Sequence, residues 1–256
     1  MMNAIKVNLR KLFIGKTYFS ITAVTGVVYP FVALMFTKMI FAIINQQYVL
    51  EMSAFESYSA YAAFVIAFGV TKFFHSEFRD GILRNKLVSG QKRKEVFLSA
   101  CFVSSVFAVI TQLISILTII IFSWITRISM SEIDFGEVME YTFVMVLAGI
   151  AVAVFYSAFY MCHGNSKIAI AVPMGVSIFA RIALSYIMDK LYPATGVCKL
   201  TGTRLFVYQM IDKYSPYAYF FGEIRWNLGS YVIGSGLLIL ISLIIGMIVF
   251  QRKDLV

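Results

Sequence analysis

The sequence is poor in the residues that support soluble folds and most catalytic sites. Only 14% of its 256 residues are charged, and it contains three cysteines and two histidines. The cysteines are scattered and form no CxxC pair, so neither a disulfide framework nor a zinc site of Cys and His ligands is expected. A soluble domain of this length would need far more polar surface to cover its core. The soluble class is therefore excluded.

Carboxylates are also missing from the middle of every apolar run. A carrier driven by protons or sodium ions normally buries at least one carboxylate at mid-depth, so a secondary carrier is disfavoured. The fragment Gly15-Lys16-Thr17 looks like the end of a phosphate-binding loop, but Arg10 stands where its first glycine is required. No cluster of His, Cys or acidic groups indicates an enzyme. We expect no catalytic residue, no metal, no cofactor and no nucleic-acid partner for this chain.

The sequence is rich in long hydrophobic runs. Hydrophobic residues make up 60% of the chain, and runs of about twenty recur along it, which is typical of an all-α polytopic membrane protein. We predict a single transmembrane domain over residues 1–256. The first apolar run is interpreted as a retained span and not as a signal peptide. The six predicted spans cover about 17–44, 57–74, 96–125, 141–162, 168–188 and 230–250.

The charges predict an orientation. Six spans place both termini on one side, together with the segment between spans 2 and 3 and the turn between spans 4 and 5. That side carries 14 lysines and arginines and 4 acidic residues, against 8 and 9 on the other side. The positive-inside rule then puts both termini in the cytoplasm of a multi-pass protein of the cell membrane. Residues 2–16 are predicted to form an amphipathic helix in the cytoplasmic interface, its basic side towards lipid headgroups.

Two segments outside the spans carry more structure than a plain loop. Residues 75–95 read HSEFRDGILRNKLVSGQKRKE, where Ile82, Leu83, Leu87 and Val88 fit one face of a short helix that ends at Gly90. This segment is predicted to run across the membrane surface; the alternative is a basic loop that only fixes topology. Residues 189–229 are too polar to span, and form either a re-entrant lid or a surface loop.

Short motifs resemble those of one transporter family. The run from Glu77 to Gly81, followed by the short basic helix and Ser89-Gly90, resembles the coupling-helix region of ABC-2 type transporter permeases. The ending 250–255 (FQRKDL) is similar to that family's basic finish, and 214–217 (YSPY) resembles an element that often precedes its final helix. Small six-span members with this appearance resemble bacterial permeases for antimicrobial or toxin-like peptides, such as lantibiotic immunity systems and phenol-soluble modulin exporters.

The resemblance implies a permease subunit without catalytic residues of its own. Two cytosolic ABC ATPase subunits, which bind ATP and Mg, would pair with two permease copies in the lipid membrane of a bacterium. The two permeases would form a homodimer, or a heterodimer of related chains. Closure of the ATPase pair would drive alternating access. The resemblance assigns the contact with the ATPase to Glu77, Phe78, Arg79, Asp80, Gly81, Ile82, Leu83, Arg84 and Leu87.

Five residues are candidates for lining or gating a translocation path. Arg181 is the deepest charge and either lines a cavity or extends to the outer headgroups. Pro173 is a candidate hinge in span 5, and Tyr214, Pro216 and Tyr217 precede the last span. Two other functions stay open: a stand-alone membrane immunity or sensor protein that needs no ATPase, and an exporter of lipid, drug or polysaccharide.

Overall fold

The computed structural model describes residues 2–14, 24–43, 50, 52, 55, 59, 61–131, 133–164, 167–193, 196, 198–221 and 224–252. Within these residues the secondary structure is helical. A π-helical turn, Val24–Val28, leads into α2, and a short 3₁₀ turn, Ala218–Phe220, precedes the last helix. The α-helices are α1 (Met2–Ile14), α2 (Tyr29–Ile43), α3 (Ala62–Arg79), α4 (Ile82–Val88), α5 (Arg93–Ile125), α6 (Phe135–His163), α7 (Lys167–Leu191), α8 (Gly202–Tyr214) and α9 (Leu228–Arg252).

Four helices are long and apolar enough to cross a membrane, namely α5, α6, α7 and α9. The shorter ones have 25 residues, which at 1.5 Å per residue is about 38 Å, more than the ~30 Å hydrocarbon core. A helical chain with four such segments is a helical membrane protein. Each of these helices contains one of the predicted spans 96–125, 141–162, 168–188 and 230–250.

The first two predicted spans are described in part. Residues 24–43 of the predicted span 17–44 are helical, and residues 17–23 and 44 lie outside the described residues. Residues 57, 58 and 60 of the predicted span 57–74 also lie outside them, and α3, Ala62–Arg79, continues five residues beyond the expected end. The helix outlasts the apolar run because residues 75–79 contain no helix breaker. It ends where Gly81 adopts a φ of +66°, which L residues rarely adopt.

The centre of the bundle is α6, which contacts α9, α5, α3 and α7. It is the most enclosed of the four long helices. Many of its buried positions hold small side chains, which allow helix backbones to approach closely without a hydrophobic driving force. These small buried residues are Ala148, Gly149, Ala151, Ala153, Ser157 and Ala158.

Side-chain contacts show which segments share an end of the bundle. The Arg93 guanidinium, at the start of α5, donates to the Gln251 carbonyl at the end of α9 (3.0 Å). The Cys162 sulfur, near the end of α6, lies 3.5 Å from the Gly246 carbonyl of α9. The Lys86 ammonium of α4 donates to the Asn8 side chain of α1 (2.7 Å). We call this end of the bundle the basic end.

The opposite end has its own contacts. The Lys38 ammonium of α2 donates to the Thr126 carbonyl just after α5 (2.6 Å), which satisfies a carbonyl that the helix leaves open. The Leu50 amide donates to the Ser129 carbonyl in the turn that follows (2.8 Å). The six-span topology predicts that the N-terminal helix, the segment between α3 and α5, the turn after α6 and the end of α9 share one side of the membrane. The described residues of these segments lie together at the basic end.

The amphipathic helix predicted for residues 2–16 is present as α1, Met2–Ile14. One of its faces packs against α5, where Asn8 and Leu12 are buried. Another face, with Lys6, Val7 and Arg10, is exposed. The helix is therefore bound to the bundle along one side, and its position in the lipid interface stays a prediction.

We predict that two glycines of α9 differ sharply in their tolerance of alanine. A Cβ on Gly234 would overlap the backbone carbonyl of Tyr214 and the hydroxyl of Tyr219. Gly234→Ala should destabilise the fold by about 1–3 kcal/mol because the backbone carbonyl cannot move aside freely. The measurement is thermal unfolding of the purified protein in detergent.

The control is Gly236→Ala, two residues away in the same helix, where a Cβ has nothing within 4 Å. Alanine has the better helix propensity by roughly 1 kcal/mol, so this variant should be as stable as the wild type or more stable. Equal melting temperatures for the two variants would contradict the close packing of α8 on α9.

Candidate functional site

The segment between α3 and α5 is a short helix with a glycine on each side. Gly81 and Gly90 have φ values of +66° and +88°, in the left-handed region that favours glycine. After α4, the Gly90 amide donates to the Leu87 carbonyl (3.0 Å) and the Gln91 amide to the Lys86 carbonyl (3.2 Å). This closure resembles a Schellman motif, and it gives the segment a defined shape.

One face of α4 packs against the bundle. Leu83 and Lys86 are buried, Ile82 and Leu87 are half-buried, and Val88 is 80% exposed. The expectation that Val88 shares the apolar face is wrong, because five residues turn a helix by about 140° away from Leu83. Lys86 occupies the covered face instead, only about 60° from Leu83.

Lys86 is the centre of a polar network that joins four helices. Its ammonium donates to Glu77 Oε2 of α3 (2.5 Å) and to Asn8 Oδ1 of α1 (2.7 Å). The Asn8 amide donates in turn to the Ser99 hydroxyl of α5 (3.2 Å). The side chains of Lys86 and Glu77 are only 9% and 2% exposed. Through these bonds α4 is fastened to α1, α3 and α5.

Because this ion pair is buried, its effect on stability differs from that of a surface pair. Removing two charges from water costs several kcal/mol per ion, and their attraction offsets that cost only with good geometry and further hydrogen bonds. Here the Asn8 amide oxygen supplies a further acceptor for Lys86. Loss of one partner would leave a buried charge uncompensated, whereas loss of both together would not. The main effect of the ion pair is therefore to hold α4 in a single position relative to the bundle, and not to increase the free energy of unfolding.

The nine residues that the resemblance assigns to ATPase contact lie in different surroundings. Arg79, Asp80 and Arg84 are exposed, Phe78, Gly81, Ile82 and Leu87 are half-buried, and Glu77 and Leu83 are buried. The Phe78 ring packs 5.7 Å from the Tyr160 ring of α6. The Arg79 guanidinium donates to the Asp80 carboxylate on the surface (2.9 Å). Glu77, Leu83 and Phe78 thus hold the segment, and the outward surface belongs to the exposed residues.

A second site is a cavity of about 370 Å³ between α3, α7 and the connection before α9. It brings together Arg181 and Tyr217, two of the residues predicted for a translocation path. The Arg181 guanidinium lies over the Phe221 ring at 4.4 Å and over the Tyr61 ring at 5.3 Å. The rest of the lining is Ala63, Phe64, Ser177, Ile178, Ala180, Ile182 and Phe220.

One wall of this cavity is held by buried hydroxyl groups. The Tyr156 hydroxyl of α6 lies 2.5 Å from the Ser177 hydroxyl of α7, which also donates to the Pro173 carbonyl (2.9 Å). The Tyr217 ring packs edge-on against Tyr156, with centroids 6.4 Å apart. Burial raises the pKa of the Tyr217 phenol well above its usual value, so the group stays neutral.

The other predicted path residues do not line this cavity. Pro173 is buried in α7 eight residues before Arg181, about 12 Å along the helix. Pro216 is buried, and Tyr214 ends α8 with its ring 5.3 Å from the Lys213 ammonium. The five residues are therefore split between the cavity, the α7 interior and the junction of α8 with α9.

Sequence reasoning missed a cluster around Asp212 at the opposite end. The buried Asp212 carboxylate accepts from the Tyr192 hydroxyl (2.7 Å) and from the Trp226 indole N–H (2.9 Å), and the Arg225 guanidinium lies 3.9 Å away. Burial, together with the adjacent carboxylate, raises the pKa of Tyr192. The cluster joins α8 to the residues after α7 and before α9. No motif indicates it, because its members are widely spaced.

The part of the chain that the structure describes contains no cluster of metal-ligating side chains. Nowhere in that part of the chain do three His, Cys, Asp or Glu side chains lie close enough to hold a metal ion. No known protein-family model matches the sequence, and no curated protein is significantly similar to it. The chemistry of the site therefore has to be argued from its own contacts.

We predict that Glu77→Ala strongly destabilises the protein. The variant leaves the Lys86 ammonium buried without its carboxylate, a loss of about 3–5 kcal/mol. The measurement is the melting temperature in detergent. The double variant Glu77→Met/Lys86→Met removes both charges, and should therefore be more stable than Glu77→Ala.

The matched control is the exposed ion pair of the same segment. Arg79 and Asp80 have side chains 64% and 44% exposed, and a pair in water contributes at most about 1 kcal/mol. Arg79→Ala should therefore melt close to the wild type. A Glu77→Ala variant that is as stable as Arg79→Ala would show that the buried pair does not hold α4.

Proposed function

We propose that this chain is the membrane permease subunit of an ATP-driven ABC exporter, in which α4 is the coupling helix. The observation that carries the proposal is the attachment of α4, a short helix at the basic end that is bounded by two left-handed glycines. A buried ion pair fastens it to α3, and hydrogen bonds through Asn8 and Ser99 connect it to α1 and α5. A loop that served only to fix topology would need positive charge, but neither a buried Lys86 nor this fixed shape.

The network explains how a push on α4 would reach the membrane. Lys86 joins α4 to α3 through Glu77, and to α1 and α5 through Asn8 and Ser99. A displacement of α4 therefore moves the ends of α3 and α5 together. A partner that binds one of two positions of α4 more tightly shifts the equilibrium between two states of the bundle, which is the physical basis of alternating access.

The outward surface of this segment defines the contact with the ATPase. Arg79, Asp80 and Arg84 supply polar groups, and Val88 is an exposed apolar side chain beside them. A small apolar anchor surrounded by charge is the usual composition of a specific interface. ATP and Mg would be bound by two copies of the cytosolic ATPase subunit and not by this chain.

The proposed cargo is an amphipathic, toxin-like or antimicrobial peptide, and its support is the resemblance together with the composition. Small permeases of this appearance resemble exporters of antimicrobial or toxin-like peptides, and the 16% aromatic content suits an amphipathic cargo that partitions into the membrane. Two permease copies, as a homodimer or a heterodimer, would enclose the path between them. Six spans, formed by α2, α3 and the four long helices, complete the proposed subunit.

We predict that the basic end faces the cytoplasm of a bacterial cell. Cys198 is exposed near the opposite end, whereas Cys101 is buried in α5. A membrane-impermeant maleimide should therefore label Cys198 in intact cells, because the six-span topology places it outside. Mass spectrometry of the labelled protein is the measurement.

The control places a cysteine at the basic end. Ser89→Cys, combined with Cys198→Ser, adds an exposed thiol beside Gly90 and should be labelled only after the cells are permeabilised. Labelling of Ser89→Cys in intact cells would reverse the proposed orientation.

We predict that the exposed surface of α4 binds an ABC ATPase. The chain is co-expressed with the products of its neighbouring genes and purified from the membrane, and any bound ABC ATPase is quantified. Arg84→Glu/Val88→Asp should reduce ATPase retention at least about tenfold, because it removes a charged contact and places a carboxylate in an apolar one. These positions are chosen because they are exposed, so the variant should still fold.

The control is Lys167→Glu, an exposed charge reversal at the same end but at the start of α7. It should retain the ATPase. If the wild type binds no ATPase, the exporter proposal fails, and a stand-alone immunity or sensor protein becomes the better explanation. If Lys167→Glu loses the ATPase as fully as the α4 variant, only the general charge of this end matters.

A further inference from the structure

The guanidinium of Arg181 has no counter-charge among the described residues. No carboxylate in that part of the chain forms an ion pair with it, and no acidic residue lines the cavity around it. Arg181 lies fourteen residues after the start of α7, about 21 Å along a helix that crosses the membrane. A charge at such a depth is costly unless it has a partner, and it commonly marks a binding site.

The stacking contacts of Arg181 determine what kind of partner it can take. The guanidinium carbon lies over the Phe221 and Tyr61 rings, 4.4 and 5.3 Å from their centroids. A guanidinium that contacts rings through its carbon still has N–H groups along the edge of its plane. These groups form a fork that matches two oxygens of a phosphate or carboxylate. The aromatic contacts hold the fork in place, so little side-chain freedom is lost when an anion binds.

The lining of the cavity selects the rest of the ligand. Apart from Arg181 the lining is mostly aliphatic and aromatic, and at its rim Tyr61, Ile178 and Ile182 are 49%, 51% and 66% exposed. An extended peptide would need partners for its backbone N–H and C=O groups, which these side chains do not offer. An acyl chain needs none. A volume of about 370 Å³ is within the range of small-ligand pockets.

We propose that this cavity is a binding site for an anionic phospholipid. The Arg181 edge binds the headgroup phosphate, and one acyl chain lies between α3 and α7 against Phe64, Ile178 and Ile182. The Phe221 ring closes the headgroup side. Lipid binding at this site needs no ATPase and no cargo. The test of this proposal is therefore independent of the test of the proposed transport function.

The test is native mass spectrometry of the full chain in detergent with added lipid. Phosphatidylglycerol and phosphatidylcholine with identical acyl chains are the probes. The wild type should bind one phosphatidylglycerol at least about tenfold more tightly than phosphatidylcholine. Both lipids carry the phosphate, but the choline cation of phosphatidylcholine offsets the phosphate charge and repels the Arg181 guanidinium. Arg181→Met, which removes the charge but keeps an apolar stem, should lose this preference. Arg181→Lys should keep part of it.

Three further measurements separate this site from simpler explanations. Lys190→Met is the matched control, because Lys190 is also a cation over a ring, 5.5 Å from Tyr186 on the same helix but outside the cavity. It should bind phosphatidylglycerol as the wild type does. Ala180→Phe, which fills the cavity and leaves Arg181 unchanged, should weaken binding. Glycerol 3-phosphate should not displace the lipid, because it lacks the acyl chain.

Several results would overturn the proposal. These are wild-type affinity in Arg181→Met, an equal loss in Lys190→Met, or displacement by glycerol 3-phosphate at lipid-like concentration. The last result would make the site a plain anion site. Melting temperatures of every variant are recorded alongside, and Arg181→Lys and Ala180→Phe keep the test decisive if Arg181→Met does not fold.

Discussion

Moving a charge out of water costs several kcal/mol, and this cost organises the whole chain. Most charged side chains lie at the ends of helices, where water or headgroups solvate them. Those that are buried have partners: Glu77 with Lys86, and Asp212 with Tyr192 and Trp226. The Arg181 guanidinium lies over two aromatic rings and forms no ion pair with a carboxylate among the described residues. Each buried charge therefore marks a place where separate helices meet.

The middle and the ends of the bundle are held by different interactions. In the middle, small residues of α6 let its neighbours approach closely, and most of the buried side chains there are apolar. At the basic end the contacts are directional hydrogen bonds, which fix one helix relative to another. In the proposed permease, the middle would slide between two packings while the coupling segment moves as one piece with the helices to which it is bonded.

Part of the candidate site could be predicted from the sequence. The short helix after Gly81 and its end at Gly90 follow from local rules, since glycine is the residue that adopts a left-handed backbone readily. The outward face of that helix could not be predicted, because an apolar pattern over seven residues does not fix a helical face. The prediction that Val88 shares a face with Ile82, Leu83 and Leu87 is therefore wrong: Val88 is exposed, and Lys86 is buried beside Leu83. Likewise, α3 extends beyond its apolar run, since the backbone continues until a residue interrupts it.

By itself the sequence determined the membrane class, the long apolar helices and the gathering of basic residues in particular segments. These depend on composition and on the length of apolar runs, which are local quantities. Only the tertiary structure decided that Lys86 meets Glu77 and Asn8, and that Arg181 stacks on Phe221 and Tyr61. The physical reason is that helices distant in the chain become adjacent only after packing. These helices supply the partner of a side chain and determine whether water reaches it.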